Sequence, residues 1–168
     1  MNDQNQYYEN YPATIIILRN IFEIVIWGIG VLLLVKFGKW VVISYLIYSA
    51  LMVAWIMRFR CKYCYYYGKT CTIGYGKVAS MFFDRGDNEE FPKKIKYIIP
   101  AILTWILPVI GGVFLLIRNF SVIILILVVV FIVFRFVLSE RVLVKYGCQF
   151  CYQNHDCPAY QLKHGHKK

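Results

Sequence analysis

The chain has 168 residues, with 19 Lys and Arg against 9 Asp and Glu, a formal net charge of +10. It is 60% hydrophobic and only 17% charged, with a mean hydropathy of +0.55. A soluble domain of this size lies nearer about 45–50% apolar and about 25% charged, and a disordered chain is far less hydrophobic, so both classes are excluded. What remains is an integral membrane protein. Its positive surplus is read as topology rather than as a nucleic-acid footprint.

The opening segment, MNDQNQYYENYP, carries no Lys or Arg. No small-residue cleavage site follows the first apolar run, so that run is expected to anchor the chain rather than to be removed as a signal. The first span covers 13–35 and the second 40–57, joined by the short link KFGK. The third covers 98–117 and the fourth 120–138, joined through Arg118 and Asn119. Each approaches the roughly 20 residues that a helix needs to cross a hydrocarbon core of about 30 Å. The runs are continuous rather than alternating, which selects helices over barrel strands. In the third span, Pro100, Pro108 and the pair Gly111-Gly112 are expected to let a neighbouring helix approach closely, with a hinge as the alternative.

Between the hairpins, residues 58–97 hold Arg58, Arg60, Lys62, Lys69, Lys77, Arg85, Lys93, Lys94 and Lys96. The tail from Ser139 adds Arg141, Lys145, Lys163, Lys167 and Lys168, whereas the opposite side has Lys36, Lys39 and Arg118. Basic residues collect on the cytoplasmic side, so both termini and the central loop are expected there.

An internal repeat is visible in the polar regions. RFRCKYCYYYGKTC opens the central loop and VKYGCQFCYQNHDC follows the fourth span. Cys61 and Cys148, Cys64 and Cys151, and Tyr65 and Tyr152 are all 87 residues apart, and Ile15 falls on Ile102 at the same offset. The expected fold class is therefore all-α integral membrane: four transmembrane helices as two repeated helical hairpins, each followed by a cytoplasmic Cys-rich loop. The units are 1–97 and 98–168, related by an axis along the membrane normal.

Two C-x-x-C pairs brought together supply the four thiolates of a tetrahedral metal site, Cys61, Cys64, Cys148 and Cys151. Cys71, Cys157 and His155 are additional candidate ligands or plain loop residues. Zinc is the default occupant and an iron–sulfur cluster the alternative, although C-x2-C-x6-C and C-x2-C-x5-C do not match a ferredoxin run. Reactive or metal-relaying thiols and disulfides are the remaining readings, the last needing an oxidising compartment. Arg58, Arg60, Lys62 and Lys145 are expected to lower the thiol pKa values.

Other signals are weaker. Ile73-Gly-Tyr-Gly-Lys-Val lacks the spacing and the Ser/Thr of a phosphate loop. KVASMFF, residues 77–83, reads as a short interfacial helix with Val78, Met81 and Phe82 on one face. Tyr63, Tyr65, Tyr66, Tyr67, Tyr75 and Tyr97 fit an interfacial aromatic belt. Arg19 and Glu23 share a helix face and Arg135 interrupts the fourth span; they are either functional intramembrane charges or residues snorkelling to the interface. No catalytic constellation is visible. The expectation is a scaffold or complex subunit whose partners are the lipid bilayer, anionic lipid head groups and an unidentified membrane or cytoplasmic protein, with no nucleic acid. A membrane redox protein and a soft-metal handler are the alternatives.

The charge asymmetry predicts that, after metal chelation, a membrane-impermeant maleimide labels the cysteines in inside-out vesicles and leaves them unlabelled in intact cells. Labelling from outside would reverse the topology and favour disulfides.

Overall fold

The computed structural model describes residues 7–154, 157 and 160–161. Every regular element among the described residues is helical. Helix α1 (Ala13–Leu34) begins after Pro12, whose extended backbone and carbonyl start the first turn through Ile15 N–H at 3.1 Å. A single tight turn, Val35–Phe37, and Gly38 reverse the chain into α2 (Lys39–Phe59). The short α3 (Tyr75–Phe82) lies in the central loop. A 3-10 run, Pro92–Ile98, leads into α4 (Ile99–Arg118). The last helix starts as α5 (Val122–Ile132), widens into a π segment (Val133–Leu138) and continues as α6 (Ser139–Tyr146).

Four helical stretches are long and apolar enough to cross a membrane: Ala13–Phe37, Lys39–Tyr63, Pro92–Arg118 and Val122–Phe150. The protein is therefore an integral membrane protein. Their outward faces are apolar; Ile24, Ile117 and Ile123 are 69%, 81% and 71% exposed, which only a hydrocarbon solvent tolerates in such numbers. The fourth helix is longer than the sequence pattern indicates. Ser139–Tyr146 reads as polar, yet nothing in SERVLVKY breaks a helix, and the chain turns only at Gly147.

Helices α1 and α4 form the centre, with α5 against both and α2 packed chiefly on α4. Ile26 and Leu33 of α1 meet Val128 and Phe131 of α5 in a core that Val109 and Leu116 of α4 complete. Without a hydrophobic drive between helices in lipid, such contact relies on close packing at small residues. Gly112 supplies it: a Cβ there would collide with Val128 and stand 3.3 Å from Leu33. The expected close approach at this pair is observed.

Pro108 sits within an unbroken α4. A proline has no N–H, so the carbonyl of Thr104, four residues earlier, loses its helical donor. The Tyr45 hydroxyl of α2 donates to that oxygen at 3.2 Å. Gly30 of α1 makes room for both groups, since a Cβ there would lie 2.8 Å from the Tyr45 hydroxyl and 3.2 Å from the Pro108 ring. Three helices are thus keyed together at one proline.

Tyr45→Phe should lower stability in detergent by about 1 kcal/mol, the size of an interhelical hydrogen bond in membrane proteins. Gly112→Leu should cost more, about 1–3 kcal/mol, through overpacking. Equilibrium unfolding in mixed micelles measures both. A neutral Tyr45→Phe would show that the carbonyl freed by Pro108 needs no partner.

Candidate functional site: a cysteine-rich cap on the helical ends

Both C-x-x-C loops fold the same way. Each outer cysteine opens a 3-10 turn, Cys61–Tyr63 and Cys148–Phe150. Cys64 N–H donates to Cys61 O at 3.2 Å, and Cys151 N–H donates to Cys148 O at 3.4 Å. One step later Tyr67 N–H reaches Cys64 O, and Asn154 N–H reaches Cys151 O, both at 3.0 Å. These bonds fall at the same 87-residue offset as the cysteines themselves.

The loops also bond to each other reciprocally. Tyr65 N–H donates to the Gln153 side-chain oxygen at 2.6 Å, and Tyr152 N–H donates to the Tyr66 hydroxyl oxygen at 3.3 Å. The rings of Tyr65 and Tyr152 stack between them, 4.8 Å apart and 20° from parallel. Tyr66 and Gln153 are buried. Because the bonded amides directly follow Cys64 and Cys151, the two inner cysteines are carried into one neighbourhood. Tyr66 is thus a core residue of the cap rather than part of an aromatic belt.

All six cysteines are free thiols. Burial, joined by the nearby Cys151 and Cys71, pushes the Cys64 thiol up to about 12 against the pull of a Tyr66 backbone hydrogen bond and of Arg60. Burial also raises Cys151, with Cys157 and Cys71 adding to the rise. The basic surroundings therefore do not lower these values as expected: desolvation outweighs the Arg60 field. Cys71 accepts from Gly76 N–H at 3.4 Å, and Cys157 lies 3.8 Å from an Arg60 Nη2. Cys71 and Cys157 lie within electrostatic reach of Cys151, and Cys71 of Cys64 as well. Cys61 and Cys148 open the two loops, three residues ahead of Cys64 and Cys151. Among the described residues, no three His, Cys, Asp or Glu side chains stand in metal-ligating geometry. His155 lies outside the described residues.

The guanidinium of Arg60 lies 4.5 Å from the Phe91 ring centroid, and its Nη1 is buried without a hydrogen-bond partner. Asn154 Oδ1 is buried in the same state. Unpaired buried polar atoms are costly; the Arg60 group also reaches Cys157, and Asn154 follows Cys151 by three residues.

A strap ahead of α1, absent from the sequence-based expectations, ties the loops together. Tyr8 N–H donates to Phe150 O at 3.0 Å and Tyr8 O accepts the Tyr66 hydroxyl at 2.6 Å. Tyr11 N–H donates to Thr70 O at 3.0 Å, and its hydroxyl donates to Gly147 O at 2.6 Å. Glu9 pairs with Lys69 at 2.8 Å. The available signal was a tyrosine-rich segment set directly before the Pro12 helix start.

Beneath the cap lie the intramembrane charges. Arg19 pairs with Glu23 at 2.7 Å and also donates to the Ser139 hydroxyl and carbonyl. Arg135, in the π segment, stacks on Trp105 at 3.4 Å from the ring centroid. Both arginines are buried, 6% and 7% exposed, so neither snorkels outward. Arg19 ties α1 to α6, which fits a structural use of the pair. Val78, Met81 and Phe82 of α3 are exposed while Ala79 is buried, as an interfacial helix requires.

Gln153→Ala should destabilise the cap by about 0.5–1.5 kcal/mol, because it removes the acceptor of the part-buried Tyr65 amide. Faster hydrogen exchange at Tyr65 would accompany the loss, and unchanged exchange would contradict the cross-loop bond. The chain matches no protein-family model, no curated protein and no solved structure.

Proposed function

We propose that this chain is a small four-span membrane scaffold or complex subunit, made of two repeated hairpins, whose cytoplasmic cysteine loops share one metal site. The observation that carries the reading is the reciprocal bonding of the loops through Tyr65, Gln153, Tyr152 and Tyr66, which gathers cysteines from both halves. Cys61, Cys64, Cys148 and Cys151 are the leading ligands, with Cys71 and Cys157 as additional candidates. A structural zinc ion fits an all-thiolate donor set. Binding would release the thiol protons and draw the sulfurs inward, as metal binding coupled to local folding does. Arg60, with its unpaired Nη1, would offset the negative charge of four thiolates. Such an ion would staple the hairpins at the surface where the charge asymmetry puts the cytoplasm.

The experiment is metal content with an absorbance spectrum on protein purified anaerobically in mild detergent. The expected result is about one zinc per chain without visible absorbance. Cys64→Ser and Cys151→Ser should each lose that metal. Iron with acid-labile sulfide would replace the staple with a redox centre, and full occupancy in either variant would overturn the shared site.

A further inference from the structure

At the end of the bundle away from the cap, a groove of about 640 Å³ opens between the start of α2 and the second half of α4. Leu34, Trp40, Val41, Ser44, Leu107 and Ile110 line it. Its volume lies within the range of ligand sites, roughly 300–1,000 Å³. The phenol groups in its wall are already committed: the Tyr45 hydroxyl donates to Thr104 O and the Tyr48 hydroxyl to Pro100 O at 2.8 Å. The wall is accordingly apolar, suited to a hydrocarbon chain rather than to a polar head.

The mouth has the opposite character. Lys36 and Lys39 adjoin the lining residues Phe37 and Trp40 in sequence; Trp40 is 72% exposed, with the Lys39 ammonium 5.7 Å from its ring centroid. Arg118 ends α4 on the same side. No Asp or Glu occurs between Glu23 and Asp84, or between Glu90 and Glu140, so these cations have no acidic neighbour in either inter-helix link. Along α2 the groove runs from Trp40 to Tyr48, a rise of about 12 Å from the interface into the hydrocarbon.

We propose that this groove is a specific site for one anionic phospholipid. One acyl chain lies along α2 and α4, and the phosphate faces Lys36 and Lys39. Apolar wall, membrane depth and unpaired basic rim select this occupant together. A bilayer lipid filling any exposed apolar face would need neither the groove nor the charge.

The test is native mass spectrometry of the delipidated full chain titrated with dioleoyl phosphatidylglycerol or dioleoyl phosphatidylcholine. One phosphatidylglycerol should be retained, about tenfold more tightly than phosphatidylcholine. Ser44→Trp, which fills the groove, should abolish retention, and Lys36→Ala with Lys39→Ala should erase the headgroup preference. Equal binding of the two lipids, or undiminished retention in Ser44→Trp, would overturn the site. A phosphatidylglycerol with a photoreactive acyl chain gives a second readout on the unmutated protein. Adducts should concentrate at Val41, Ser44 and Ile110; an even spread over lipid-facing residues such as Ile24 and Ile123 would also overturn it.

Discussion

Two hydrogen bonds, Tyr65 N–H to Gln153 and Tyr152 N–H to Tyr66, hold together the parts of this protein that could do chemistry. They are short-range bonds between segments more than 80 residues apart, and both accepting side chains are buried. A buried side-chain oxygen deprived of its donor costs more than the bond itself contributes, so the pairing is a requirement as much as a gain. Once it is made, the stacked tyrosines, the strap of Tyr8 and Tyr11 and the approach of the cysteines follow.

The bilayer imposes the second requirement, that every backbone polar group be satisfied inside the protein. The Pro108 site shows how the sequence meets it. A proline frees the Thr104 carbonyl, Tyr45 bonds it, and Gly30 leaves the space for both. Arg19 goes part of the way for a side chain: its two terminal nitrogens use Glu23 on its own helix and Ser139 on another, while its Nε is buried without a partner. These polar fastenings lie on the cap side and in the middle of the bundle. The end near Lys36 and Lys39 is instead left grooved and basic, which suits contact with lipid.

The four helices were legible in the sequence because hydrophobic length is a strong signal, and the cysteine spacing pointed to the cap. The end of the last helix was not legible, since polarity at Ser139 marks where lipid contact fades and not where helical hydrogen bonding stops. The strap was missed because tyrosines before a helix carry no periodicity; only the folded loops give Tyr8 and Tyr11 their partners. The thiol environment was misread from charge alone. Arg60 does lower Cys64, but burial acts more strongly, and burial depends on residues distant in sequence. The repeated C-x-x-C loops were visible as a pattern, yet the exchange of side-chain acceptors between them required both loops in place.

The most direct test of the joined cap is crosslinking in native membranes. In a variant that keeps only Cys64 and Cys151, a short bismaleimide should bridge the two loops. A protease site inserted at 84–90 would then release two fragments that stay together on a denaturing gel. Separation of the fragments, with both cysteines modified singly, would contradict the account and leave two independent loops.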